Sequence, residues 1–194
     1  MDRIVEATVA AIEAGGEPSL RVNDIARDSD VSVATLYHYF GDREGLVVAA
    51  RLKQYAGSTG IYYEDFARAV GSASTSGEFA DVLRMFFGHV TNQASRDMRF
   101  LRAEIVGSSR TRPQLAAALR EVQEDLATRL TAVLADAQER GLLRSTVSPR
   151  NTAEFALMVQ LGSVLPDLLA GDGDVKSLDP LFAQLVDSLL VSAS

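Results

Sequence analysis

The chain has 194 residues, 47% of them hydrophobic, and a formal net charge of −7. These values are typical of a globular protein with one or two small domains and a sizeable core. The sequence has no cysteine and two histidines, which excludes disulfides, cysteine redox sites and histidine-rich metal sites. No basic head precedes the first apolar pattern, and no apolar run reaches the roughly 18 residues of a membrane span. We therefore expect a cytoplasmic protein without a membrane partner.

The first predicted element is an amphipathic helix over residues 3–14, ended by the glycines Gly15 and Gly16. Its predicted buried residues are Ile4, Val5, Ala11 and Ile12.

Two short helical patterns follow, with a tight turn centred on Asp30 between them. The second pattern runs from Val33 to Tyr39, and Ser32 has the side chain of an N-cap for it. Predicted inward residues are Ile25 and Ala26 in the first helix and Leu36 and Phe40 in the second. Two helices joined by such a turn make a helix-turn-helix, whose second helix lies in the major groove of DNA.

The sequence DVSVATLYHYFGDREGL, residues 30–46, resembles the signature of the TetR family of bacterial transcriptional regulators. The close resemblance covers residues 4–52. It implies an all-α fold, with a three-helix DNA-binding domain over residues 1–46 that continues through a helix at 43–55. Residues 47–194 would then form a helical bundle for ligand binding and dimerisation. Neither the motif nor the resemblance implies a cofactor.

The resemblance also implies which side chains contact double-stranded DNA. The counterparts of Thr35 and Tyr39 lie near phosphates in the family, and those of Val33, Ala34, Tyr37 and His38 lie near bases or sugars. Arg43 opposes the dipole of its own helix, which favours a phosphate contact. Arg21 either touches a phosphate or is a solvated surface residue. The full predicted DNA-binding set is Arg21, Asn23, Ser32, Val33, Ala34, Thr35, Tyr37, His38, Tyr39 and Arg43.

The charge of this region is unfavourable for nucleic acid, because residues 1–55 hold six basic and nine acidic side chains. Neutralisation of phosphates supplies most non-specific affinity, so we expect weak non-specific binding that is sensitive to salt. The same observation supports an alternative, a dimeric small-molecule-binding module that acts through a protein partner.

Beyond the motif, residues 57–60 and 71–77 are predicted to be soft, glycine- and serine-rich breaks, with a short helix at 61–70 between them. Five further helices are predicted, at 78–94, 97–107, 114–140, from Ser148 and Pro149 onward, and 178–191. Ser19 is a possible cap of the first helix of the motif, and Gly141 is the predicted end of the long helix.

The segment from Phe155 to Leu165 is apolar on nearly every side, and a helix of this kind is buried all round. The simplest cover for its second side is another copy of the chain, so we predict a homodimer built on the last two helices. The predicted interface residues are Phe155, Val159, Gly162, Leu165, Phe182, Leu185 and Leu189.

The resemblance implies a small-molecule effector in the C-terminal bundle, and the apolar content favours a hydrophobic or amphipathic compound. The candidate ligand residues, for each of which core packing is the alternative, are Phe86, Phe87, His89, Met98, Leu101, Gln123, Phe155 and Met158. Arg102 and Glu104 are predicted to be surface charges. The sequence has no nucleophile elbow, phosphate loop or metal constellation, which argues against an enzyme.

Together these features predict a homodimeric, ligand-responsive transcriptional regulator. We expect a repressor that binds a near-palindromic operator and is released by its effector.

Overall fold

The computed structural model describes residues 1–60, 63–91, 95–170 and 179–191. The helices are α1 Asp2–Gly15, α2 Val22–Asp28, α3 Val33–Phe40, α4 Arg43–Gly60, α5 Tyr63–Ser72, α6 Ser76–Thr91, α7 Arg96–Ser108, α8 Pro113–Glu139, α9 Pro149–Gly162, α10 Val164–Ala170 and α11 Asp179–Leu185. Short 3₁₀ turns lie at Glu17–Ser19 and Ser109–Thr111, and a π-helical turn at Val186–Leu190. The described residues contain no strand, only an isolated bridge between Leu143 and Val191. The predicted all-α fold is confirmed.

The chain packs as two units, and neither is continuous in sequence. The N-terminal unit is Met1–Ser58 with Ile105–Arg120, and the C-terminal unit is Thr59–Glu104 with Glu121–Ser194. Helices α7 and α8 each belong partly to one unit and partly to the other. A functional division at residue 46 stays a prediction, and it did not anticipate that residues 105–120 pack with the N-terminal unit.

The core of the N-terminal unit is small and comes from α1 to α4. Its buried members are Ile4, Ile12, Leu20, Ile25, Ala26, Leu36, Leu46, Val47 and Ala50. Gly16 ends α1 with a φ of 73°, a left-handed conformation that glycine adopts at little cost. Of the predicted α1 face, Ile4 and Ile12 are buried, whereas Val5 and Ala11 are half-buried.

The larger core of the C-terminal unit is rich in phenylalanine and leucine. Its aromatic members form a chain of ring contacts: Phe66 to Phe86 at 4.9 Å, Phe86 to Phe87 at 5.8 Å, and Phe87 stacked on Phe182 at 5.0 Å. Apolar residues recur along α8 at spacings of three and four, from Leu115 to Ala137. Leu126, Leu130 and Ala137 are buried in this core, and Leu115 and Leu119 are buried nearer the N-terminal end of the helix.

Several helix ends form where the sequence predicted them. Ser148 caps α9 by accepting a hydrogen bond from the Asn151 N–H at 3.2 Å. Gly141 follows α8 with a φ of 77°. Ser19 does not cap α2; its hydroxyl donates to the carbonyl of Gly16 instead.

The two predicted soft stretches are largely helical. Residues 57–60 continue α4, with Ser58 buried and donating to the Tyr55 carbonyl at 2.8 Å. In 71–77, α5 extends to Ser72 and α6 begins at Ser76. Helix α6 starts here because its first N–H groups are capped, a pattern that sequence inspection overlooked. The Glu78 N–H donates to the Thr75 hydroxyl, and the Glu78 carboxylate accepts from the Ser74 N–H.

The apolar segment 155–165 is two helices rather than one. Helix α9 ends at Gly162, and α10 restarts at Val164 and carries Pro166 in its first turn, where proline is tolerated because that N–H has no helical partner. The last helix starts at Asp179 in the described residues. Residues 61, 62, 92–94 and 178, which the sequence predicted to be helical, lie outside the described residues.

Among the described residues, no helix is both long and apolar enough to span a membrane. Those same residues contain no cluster of three metal-ligating side chains.

Candidate nucleic-acid interface

The helix-turn-helix forms as predicted, and its turn depends on Asp30. Asp30 has a φ of 57°, within the left-handed region that aspartate tolerates better than most residues. The turn closes with a hydrogen bond from the Val31 N–H to the Ala26 carbonyl at 3.0 Å. This bond holds the start of α3 against the end of α2.

The N-terminus of α3 is fixed by Ser32. Its hydroxyl accepts from the Thr35 N–H at 3.0 Å and lies 2.8 Å from the Thr35 hydroxyl. One of the two hydroxyl protons is used between the pair. The other proton is not needed for that bond and can be offered to a phosphate.

The outward face of α3 carries large polar-aromatic side chains. Tyr39 is 54% exposed and Tyr37 is 44% exposed, while Leu36 on the opposite face is buried. The His38 and Tyr39 rings meet edge to face at 5.4 Å. Ala34 is exposed, and Val33 is half-buried against the core. The face therefore presents two phenol hydroxyls and an imidazole to solvent.

The remaining predicted DNA contacts fall into two classes. Arg21 and Asn23 are exposed, and in the described part of the chain Arg21 makes no ion pair. Arg43 is half-buried and donates from Nε to the Leu20 carbonyl at 3.3 Å and from a terminal nitrogen to the Glu17 carbonyl. Its role at a phosphate stays a prediction, and the structure adds a second role inside the N-terminal unit.

Glu17 is the centre of an ion cluster that the sequence did not reveal. Its carboxylate accepts from Arg51 Nε at 2.7 Å and from both terminal nitrogens of Arg112, Nη1 at 3.0 Å. Arg112 Nε also lies 3.1 Å from the Glu44 carboxylate. Hydrogen bonds from Arg112 and Arg51 hold the pKa of Glu17 well below its ordinary 4.5, at about 2. An open cavity of about 480 Å³ next to this cluster is lined by Glu44, Thr111, Arg112, Pro113 and Gln114.

The predicted ligand residues separate into core and surface positions. Phe87 is buried in the aromatic chain, and Phe86 is half-buried beside it. Met98, Leu101 and Gln123 are half-buried. Phe155 and Met158 are exposed, Met158 by 66%. The His89 side chain lies outside the described residues.

A buried ion pair lies in the C-terminal unit, and sequence inspection overlooked it. Arg99 Nε and Nη2 donate to the two carboxylate oxygens of Asp167 at 2.6 and 2.8 Å, and both side chains are fully buried. Arg102, predicted to lie at the surface, is also buried, whereas Glu104 is exposed. A lone carboxylate inside the apolar run of α10 is the signal that could have revealed the pair.

The predicted dimer residues also divide. Phe155, Gly162 and Leu165 are exposed on α9 and α10. Val159 is half-buried against the core, and Phe182 stacks on Phe87 within the unit. Leu185 is half-buried, and the Leu189 side chain lies outside the described residues. Further apolar side chains on α9, α10 and α11 are exposed: Met158, Leu161, Leu168 and Leu181.

This geometry defines a class: an all-helical protein with a helix-turn-helix motif formed by α2 and α3. The family model "Bacterial regulatory proteins, tetR family" matches residues 4–50. The HTH-type transcriptional repressor KstR of Rhodococcus jostii is 36% identical over 53 residues, which are 27% of this chain and 25% of that protein. The chain thus aligns with about a quarter of the length of that relative.

Solved structures share the whole fold. A putative TetR-family regulator from Mesorhizobium loti matches with a TM-score of 0.64 and 18% identity, over 96% of this chain and 91% of that one. The regulator FadR of Bacillus subtilis in complex with stearoyl-CoA matches with a TM-score of 0.60 and 18% identity, over 96% and 97%. Residues 4–50 thus match the TetR family model, and the likeness to these solved structures extends over the fold of nearly the whole chain.

Proposed function

We propose that this protein is a ligand-responsive transcriptional regulator that binds a near-palindromic operator as a homodimer and represses transcription. The observation that carries the proposal is the outward face of α3, held by the Ser32 cap and the Asp30 turn. A rigid helix that presents hydroxyls and an imidazole to solvent suits a major groove, where phosphate contacts position the protein and base contacts specify the sequence.

Dimerisation is supported by the apolar side chains exposed on α9 and α10. Phe155, Met158 and Gly162 recur at intervals of three and four residues, which places them on one stripe of α9, and Leu165 is exposed on α10. Contiguous apolar patches of this kind mark protein interfaces on soluble domains. A two-fold dimer through this stripe would give each complex two copies of α3, as a palindrome requires.

The effector is proposed to be hydrophobic or amphipathic and to bind in the C-terminal unit. The apolar content of this unit supports the proposal, since it includes the aromatic chain from Phe66 to Phe182 and the half-buried Met98 and Leu101. FadR of Bacillus subtilis has the same fold, and its structure contains stearoyl-CoA, an amphipathic compound. The effector would stabilise the conformation that does not match DNA, and linkage then requires DNA to weaken effector binding equally.

The test is selection of the purified dimer against a random duplex pool at moderate salt, followed by sequencing. Enrichment of a palindrome with half-sites about one helical turn, roughly 34–36 Å, apart is the expected result. Placed over a promoter in a reporter strain, the selected sequence should lower expression when the protein is present. A folded dimer that enriches no sequence would contradict the proposal and favour a module that acts through a protein partner.

A further inference from the structure

We propose that Glu17 and Arg112 form a latch that fixes the start of α8 to the Glu17–Ser19 turn and to α4, so that movement of α8 changes the spacing of the two copies of α3 in the proposed dimer. The inference rests on the proposed function for its effect on DNA. Its structural part, that Arg112 holds α8 in place, stands independently.

The first argument is the number of contacts that converge on one residue. The Glu17 carboxylate accepts from Arg51 and Arg112, and its carbonyl accepts from Arg43. Arg43 is in the first turn of α4 and Arg51 is about two turns later. Glu17, a residue of a short 3₁₀ turn, therefore holds α4 at two points along its length. Arg112 adds an ion pair with Glu44, also in the first turn of α4.

The second argument is the position of Arg112. It immediately precedes Pro113, the first residue of α8, and its carbonyl accepts from the Ala116 N–H at 2.9 Å. The guanidinium therefore attaches the beginning of a helix of 27 residues to Glu17. Because α8 is continuous from the N-terminal unit into the C-terminal unit, a shift of its later turns is transmitted to this point.

The third argument is shielding from solvent. The side chains of Arg51 and Glu17 are 8% and 16% exposed, and that of Arg112 is 24% exposed. Arg112 meets the Glu17 carboxylate with both terminal nitrogens, a paired geometry that fixes direction as well as distance. Exposed ion pairs are weak and adaptable, whereas a shielded fork of this kind has one preferred arrangement.

The experiment compares Arg112→Gln with the matched control Arg110→Gln. Arg110 is exposed, lies two residues earlier and loses the same charge, and it makes no ion pair within the described residues. Glu44→Gln is a milder variant that removes one contact from Arg112 and leaves the fork to Glu17 intact. It keeps the test decisive if Arg112→Gln does not fold.

The first readout is hydrogen exchange of the full chain without DNA. Arg112→Gln should raise the amide exchange rate at residues 116–120 and 17–20 by about tenfold, and Glu44→Gln by less. The reason is that local opening of the wild type must break the contacts of Arg112, and local opening of the variant does not. Arg110→Gln should stay within about twofold of the wild type. Equal exchange in Arg112→Gln and Arg110→Gln would overturn the latch.

The second readout is selection from a pool in which two half-sites are separated by variable spacers. The wild type and Arg110→Gln should enrich one spacing, and Arg112→Gln should enrich several, a change that simple loss of stability does not produce. Retention of one spacing by Arg112→Gln would overturn the coupling to DNA. If the wild type enriches no DNA at all, the proposed function fails, and hydrogen exchange still decides whether the latch exists.

Discussion

The two units solve the same problem, holding arginines in a helical core, in different ways. In the N-terminal unit the cluster around Glu17 keeps some contact with solvent, and the exposed face of α3 carries hydroxyls and an imidazole. In the C-terminal unit Arg99 and Asp167 are fully buried, and α9 and α10 expose the apolar side chains of Phe155, Met158 and Leu165. Both units pair arginine with a carboxylate, and they differ in how far the pair is removed from water. The comparison teaches that burial of the ion pair, more than its charge, distinguishes the two units.

The largest expected effect is on the buried pair. Asp167→Asn should lower the free energy of unfolding by about 3–5 kcal/mol, because it leaves the Arg99 guanidinium buried without its carboxylate. Urea denaturation measures the loss. Asp65→Asn, which breaks the largely exposed pair with Arg68, is the control and should change little. Equal effects of the two substitutions would remove the contrast between the units.

The next effect concerns the apolar side chains exposed on α9 and α10. Met158→Glu should raise the dimer dissociation constant at least about 100-fold, because each subunit would bury a charge in an apolar interface. Sedimentation velocity over a concentration series measures it. Asn151→Asp places the same charge on an exposed polar position of α9 and should leave the dimer intact. A Met158→Glu protein that stays dimeric would place the interface elsewhere.

The Glu17 cluster predicts a pH dependence of stability. The folded pKa of about 2 lies below the ordinary 4.5, so the carboxylate contributes stability above pH 4.5 that is lost as pH falls toward 2. Glu17→Gln should cost on the order of 1–2 kcal/mol at pH 7, a partial linkage value because the cluster contacts solvent. The difference from wild type should shrink between pH 4.5 and 2 in urea denaturation.

The control for this series is Glu6→Gln, which breaks the exposed pair with Lys53. The Lys53 hydrogen bond also lowers the pKa of Glu6, but solvent screening should make the pH-dependent difference smaller. A Glu17→Gln protein whose difference from wild type does not vary with pH would show that this carboxylate is not held by its arginines.

The smallest effect is at the reading helix. Tyr39→Phe should weaken binding to all duplexes about fivefold, the value of roughly one hydrogen bond to a phosphate. His38→Ala should instead change which sequences are preferred. Fluorescence anisotropy on the selected operator and on single-position variants separates the two outcomes. A Tyr39→Phe protein with altered preference and unchanged mean affinity would assign this hydroxyl to a base.

Local features were predictable because they depend on residues three or four apart. The Ser32 cap, the Asp30 turn and the Gly141 stop each follow from the conformational preferences of one side chain, and all three formed as expected. The apolar stripe of α8 was equally readable. The sequence by itself thus determined the helix-turn-helix, the all-helical class and the resemblance of residues 4–50 to the TetR family.

Only the tertiary structure decided which distant charges meet. Glu17 and Arg112 are 95 residues apart, and Arg99 and Asp167 are 68 apart. An isolated arginine has the same solvated form in any helix, so its sequence context does not distinguish the buried Arg102 from the exposed Arg110. Packing decides which of them loses its water, and that loss of solvent gives an ion pair a fixed geometry and a structural role.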